Sequence, residues 1–283
     1  MEPDFEVGGG DDLIAGWQSG GGQAVLVLHG GPGLSEYTES LLPELVDAYT
    51  VIRYQQRGLP PSTTSGPFGI GTQVQDVLRV IDALKLVRPL VLGHSWGGHL
   101  AMHLLAASAD RVAGALIVDP LGAVGDGGAA DLDRILGERA APAAARRAHE
   151  LDQKAMRGEG SEEDAIEGLS LVWPGYFGDP AKAPPMPPMR ISLPAYAKTF
   201  ESIQEHFERG TLVSRLPEVQ VPTHFLLGEM SPIPPLHGLA SASLIPGADA
   251  EIVPGCGHFP WLERKGSVRS ALDRLAERSA TTT

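Results

Sequence analysis

The sequence predicts an α/β fold: a mostly parallel sheet flanked by helices, with a helical segment inserted into it. Three observations carry that expectation. Short continuous apolar runs such as Ala24–Leu28 read as strands buried on both faces. They alternate with stretches of helical period, Thr72–Leu84 among them. The alternation lapses between residues 120 and 195 and then resumes.

In chain order, the glycine triplets at 8–10 and 20–22 bracket a short early strand, Leu13–Gln18. Ala24–Leu28 is the first buried strand, Glu39–Ala48 reads as a helix, and Val51–Tyr54 is the next strand. Thr72–Leu84 sets Val74, Val77, Leu78, Ile81 and Leu84 on one helical face. Strand Pro89–Leu92, apolar helix Trp96–Ala107 and strand Ala113–Val118 follow. Strands and helices in strict alternation imply right-handed βαβ units and therefore parallel pairing.

From 120 to 195 no strand pattern appears. Asp131–Arg139 and Ala143–Arg157 read as helices, and the proline-dense Ala183–Met189 cannot continue one. Helix Ala197–Arg209, strands Thr223–Leu227 and Glu251–Val253, and a closing amphipathic helix Trp261–Arg278 then restore the rhythm. The expected organisation is a core split between 1–119 and 196–283, with a helical cap at 120–195.

Composition narrows the function. The chain of 283 residues is long enough for a substantial core, and at 42% hydrophobic and 20% charged it has an ordinary globular make-up. A net charge of -13 argues against nucleic acid, whose phosphates need a basic patch, and against an anionic membrane surface. No apolar run approaches the roughly 18 to 20 residues that span a bilayer. The acidic start Met1-Glu2-Pro3-Asp4 is unlike a secretory signal, so a cytoplasmic protein is expected. The single cysteine, Cys256, excludes an internal disulfide and reads as a small neighbour of the site, not a second nucleophile. His99 and His103 lie four apart on a helix but lack the intervening Glu of a zinc motif, so they read as packing; no metal and no cofactor are expected.

The chemistry concentrates in three places. Gly93-His94-Ser95-Trp96-Gly97 has the G-x-S-x-G form. The pattern alone is weak, but here it follows a buried strand and opens a helix. That setting exposes a nucleophilic serine on a sharp turn. His29-Gly30-Gly31-Pro32-Gly33 directly follows the first buried strand. A tetrahedral oxyanion needs two N–H donors, and Gly31 and Trp96 are the expected pair. His258, in a loop after the last strand, completes the chain order of nucleophile first and histidine last. It would act as general base towards Ser95.

These motifs resemble the α/β-hydrolase fold superfamily, and especially its proline iminopeptidase-like branch. HGGPG at 29–33, Gln56-Arg57-Gly58, GHSWGG at 93–98 and Gly257-His258 carry the resemblance, on both sides of the cap. No specific match lies in the cap. Two positions depart from the branch. Gln55 stands where it usually has Asp. Ser231, in Gly228-Glu229-Met230-Ser231, stands where it usually has the catalytic acid.

A triad still needs an acid to fix the imidazole. Asp119 follows the apolar Leu116-Ile117-Val118, where an unpaired charge is costly, and is the expected acid; Glu229 is the alternative. A serine nucleophile with an oxyanion hole implies acyl transfer on a small, largely apolar ester, lactone or amide. An iminopeptidase would instead need carboxylates for the substrate's amine, for which Glu201 and Glu205 are candidates. Trp173, Tyr176, Phe177 and Met189 read equally as pocket wall or as the cap's own core. A cofactor-free perhydrolase and a non-catalytic small-molecule binder on the same scaffold remain open.

Overall fold

The computed structural model describes residues 2–157 and 159–281. Among the described residues, eight strands make one sheet: β1 (Phe5–Val7), β2 (Ile14–Gly20), β3 (Gln23–Leu28), β4 (Tyr49–Tyr54), β5 (Leu90–His94), β6 (Gly114–Val118), β7 (Thr223–Gly228) and β8 (Asp249–Val253). Their order is β1-β2-β4-β3-β5-β6-β7-β8. β1 pairs with β2, and β2 with β4, in antiparallel fashion; every pairing from β4 to β8 is parallel.

Eleven α-helices are found among the described residues. They are α1 (Leu42–Leu45), α2 (Ile70–Ala83), α3 (Trp96–Ser108), α4 (Ala129–Arg139), α5 (Pro142–Met156), α6 (Glu162–Val172), α7 (Leu193–Glu208), α8 (Thr211–Arg215), α9 (Pro235–Ala242), α10 (Pro260–Glu263) and α11 (Ser267–Thr281). α4, α5 and α6 all lie in the stretch between β6 and β7 that lacks a strand pattern.

Successive residues of a strand face opposite ways, and both faces of this sheet are covered. Leu26 and Leu28 of β3 pack with Val74, Val77 and Leu104 from α2 and α3. Val25 and Val27 pack with Leu45, Leu272 and Leu275 from α1 and α11. Two apolar layers on one sheet explain why its strands read as continuous apolar runs rather than alternating ones.

Several elements differ from expectation, each for a local reason. Glu39–Ala48 is not one helix: a 3₁₀ turn, Thr38–Leu41, leads into the single turn of α1, where Pro43 sits at the helix start. The closing helix is divided, because Gly266 adopts φ +83 between α10 and α11. The strand β1 and the helices α6, α8 and α9 are additional. α6 opens on a capping box in which Ser161 and Asp164 satisfy each other's backbone N–H.

Candidate active site

In a parallel α/β sheet, ligands bind beyond the carboxyl ends of the strands. The order β3-β5-β6-β7-β8 aligns five such ends. They lead respectively to the 29–33 loop, Ser95, Asp119, the 229–231 loop and His258.

Ser95 occupies a sharp turn at φ 57, ψ -122, an unfavourable conformation for a side-chain-bearing residue. The turn is over-determined. The Ser95 N–H donates to the Val118 carbonyl at 3.0 Å, while the Ser95 carbonyl accepts from Gly98, His99 and Leu121. A side chain on Gly97 would bring its Cβ within 2.0 Å of the Leu28 carbonyl oxygen, so the second glycine of the motif admits the close crossing of α3 over β3. A Cβ on Gly30 would lie 3.0 Å from that of Ser95, so the glycine loop passes directly beside the serine.

The loop is knitted to the elbow. Gln56 donates to the His29 carbonyl at 2.8 Å and accepts from the Trp96 indole at 2.9 Å. The Gln56 N–H also donates to His29 Nε2, which leaves Nδ1 to donate to the Gly30 carbonyl. The N–H groups of Gly31 and Trp96 have no acceptor among the described residues.

Ser95 and His258 line the same small cavity, together with Gly31, Leu34, Tyr37 and Phe259 from the sheet side. Leu169, Trp173, Tyr176 and Met189 close it from the strand-free insertion. Its volume, about 60 Å³, is room for roughly four water molecules. No hydrogen bond joins Ser95 Oγ to His258 among the described residues; catalytic contacts of this kind often tighten only around substrate.

A model of the alpha/beta hydrolase family matches residues 25–271. The chain belongs to this family. A proline iminopeptidase of Heyndrickxia coagulans is 39% identical over 89 residues, which are 30% of this chain and 30% of the relative. The chain thus spans less than half the length of the curated relatives it matches. Among solved structures, a proline iminopeptidase of Mycobacterium smegmatis superposes with a TM-score of 0.69 at 20% identity, covering 99% of each chain. A thermophilic esterase of Thermogutta terrifontis gives 0.66 at 22% identity, covering 97% of this chain and 98% of that one. At such identities the likeness is one of fold.

The histidine of this α/β-hydrolase family member is held from several sides. The His258 N–H donates to the Tyr176 carbonyl at 2.7 Å, and its Nδ1 lies 3.2 Å from Ser231 Oγ. His94 donates from Nε2 to the His258 carbonyl at 2.8 Å. With Nε2 protonated, His94 Nδ1 accepts from the Tyr37 hydroxyl at 2.7 Å, and that hydroxyl accepts from the Gly30 N–H at 2.9 Å. One chain of bonds therefore ties the glycine loop to the histidine loop. Burial pushes His258 well down from the ordinary histidine range, with His94 adding to the effect; burial also takes His94 down to about 3. Both rings are neutral at pH 7.

Asp119 is buried at the end of β6 with φ +40 and accepts from the Gly228 N–H through both carboxylate oxygens. Burial raises its pKa well above the usual carboxylate range, against which hydrogen bonding from Gly228 and Ser231 works. No direct hydrogen bond links it to His258 among the described residues. Glu229 is exposed and spends its carboxylate on the Gly255 N–H at 2.7 Å.

Glu201 and Glu205 are likewise exposed, pairing with Lys198 and Arg209, and neither lines the cavity. Gln55 receives the Glu36 N–H and donates to the carbonyls of Leu34 and Gln56, so it serves the loop as an amide where the branch has a carboxylate. Phe177 is buried, stacked on Phe259, while Trp173, Tyr176 and Met189 form cavity wall. Cys256 is buried, and its thiol is pushed up out of the reactive range. His99 and His103 pack against each other, ring centroids 4.9 Å apart, inside the core. No helix among the described residues is long and apolar enough to cross a membrane.

Sequence reasoning missed Tyr37 and His94. The neighbouring motifs carried no sign of their bond, which is made between residues 57 apart.

Proposed function

We propose that this chain is a serine hydrolase that transfers acyl groups from a small, largely apolar ester, lactone or amide. One observation carries the reading: an elbow serine and a buried, neutral histidine share a small apolar cavity beside two unpaired backbone N–H groups. Ser95 Oγ attacks the substrate carbonyl and passes its proton to His258 Nε2. The N–H groups of Gly31 and Trp96 hold the resulting oxyanion. Collapse breaks the bond to the leaving alcohol or amine, which takes the proton from His258; water then releases the acid by the same steps in reverse. Asp119 is the acid of the triad. The insertion at 120–195 acts as the lid, and what supports this is its contribution of four cavity-lining side chains.

Ester or lactone is favoured over peptide. The cavity wall carries no carboxylate among the described residues, and a free amine would enter without a partner. A cavity of this size suits an acyl group of a few heavy atoms. Treatment with a fluorophosphonate probe, followed by p-nitrophenyl ester and proline p-nitroanilide assays, tests the reading. Labelling at Ser95 with ester turnover supports it. Preference for the anilide makes the protein an iminopeptidase. No labelling of folded protein leaves a binding protein on a hydrolase scaffold.

A further inference from the structure

The branch that this chain resembles usually places its acid at position 231, and here that position is a serine. The substitution has not left the histidine unsupported. Ser231 is buried, and its Oγ lies 3.2 Å from His258 Nδ1. The Ile233 N–H donates to the same oxygen at 3.3 Å. If His258 is to accept a proton at Nε2, Nδ1 must carry its hydrogen and donate it. Ser231 Oγ then accepts twice, from Nδ1 and from Ile233, and has one proton left to give. Asp119 is buried like Ser231, and the Ser231 hydroxyl works to lower the pKa of its carboxyl against the burial that raises it. That carboxylate is itself fixed by the N–H of Gly228, three residues before Ser231, at 3.0 and 3.1 Å. Glu229 cannot substitute, because its carboxylate is on the Gly255 amide.

We propose that Ser231 is a positioning residue that couples Asp119 to His258, so that the acid acts through a hydroxyl rather than by direct contact. The proposal rests on the serine-hydrolase reading above and deepens it. The Nδ1–H donates to Ser231 Oγ, and the Ser231 hydroxyl donates to Asp119. No proton leaves Asp119 or Ser231 during turnover; the relay fixes the tautomer and ring orientation and stabilises the imidazolium when it forms. Rotation of one hydroxyl would break it, and the Ile233 N–H restrains that rotation.

A double-mutant cycle tests the coupling. Wild type, Ser231→Ala, Asp119→Asn and the double variant are compared in ester turnover, with circular dichroism and thermal melting to establish folding and fluorophosphonate labelling of the wild type run alongside. Ser231→Ala is expected to lower kcat at least tenfold and to move the acid limb of kcat/KM to lower pH, since the imidazolium loses its acceptor. The double variant is expected to be no worse than the poorer single one, because residues acting as a unit are non-additive. A Ser231→Ala protein within twofold of wild-type kcat, or a double variant whose loss is the product of the single losses, overturns the relay. Should Ser231→Ala fail to fold, Ser231→Cys decides by the same criteria. Wild type that neither labels nor turns over ester overturns the underlying serine-hydrolase reading instead, so the two failures are distinguishable.

Discussion

Lowering the pH from 7 to 5 should destabilise this protein steeply, because it buries its histidines as neutral rings. Burial holds His29, His94, His99, His103 and His258 below the ordinary value of 6.5, with His94 at about 3 and His99 at about 4. A depressed native pKa means that the unfolded chain takes up a proton as pH falls through 6.5 while the native state does not. The stability is therefore complete above pH 6.5 and is lost progressively below it.

Each such group costs about 1.4 kcal/mol per pH unit until its native pKa is reached, so at pH 5 His94 and His99 cost about 2 kcal/mol each. Their sum, about 4 kcal/mol, is a large part of the 5–15 kcal/mol typical of a folded domain. Asp119, Asp133 and Glu263 work the other way: burial raises each above the usual carboxylate range and makes the native state the better proton acceptor as pH falls, but they are three groups against five buried histidines. Urea midpoints followed by tryptophan fluorescence at pH 7, 6 and 5, at constant ionic strength, measure the effect. His99 and His103 each bury an Nε2 that has no hydrogen-bond partner among the described residues, so His99→Leu/His103→Leu should flatten the slope. A midpoint that is unchanged or rises from pH 7 to 5 would refute the assignment of these rings as neutral and buried.

The same burial predicts that kcat/KM for an uncharged ester stays flat from pH 8 down to 6, since His258 remains an unprotonated base there; a falling limb at or above pH 6.5 would contradict it. Tyr37→Phe strands the Gly30 N–H and His94 Nδ1, so it should cost about 1–3 kcal/mol in urea denaturation and lower kcat by loosening the loops at both ends of that bond chain. Leu169→Ala and Met189→Ala widen the cavity from the insertion side and should shift the preferred p-nitrophenyl ester to a longer acyl chain; an unchanged order of chain-length preference would place the acyl group elsewhere. Ser231→Asp places a carboxylate where the iminopeptidase-like branch has one, and should make Asp119→Asn nearly silent in ester turnover.

What was legible in the sequence was local. Ser95 and His258 were legible as candidates because each sits in a short pattern whose meaning depends on an adjacent strand, and strands covered on both faces are hard to mistake. Asp119 was legible by cost, as a carboxylate placed directly after three buried apolar residues. Helix α9 was not, because Pro232, Pro234 and Pro235 crowd its start and hide it, although a proline at a helix start costs little.

The less legible part of the site is made by pairing across the sheet. β6 and β7 are neighbours only because the chain leaves the sheet for roughly a hundred residues and returns, and that return carries the Gly228 N–H to the carboxylate at the end of β6 and Ser231 Oγ to His258 Nδ1. Read alone, Ser231 marks a missing acid. In the proposed relay the same hydroxyl supplies what a carboxylate at 231 could not: it accepts from Nδ1 while donating to an acid one strand away. On that proposal, an acid on β6 requires no new contact at the imidazole beyond a side chain short enough to leave room for the carboxylate behind it, and polar enough to donate to it. Serine meets both conditions; alanine meets only the first.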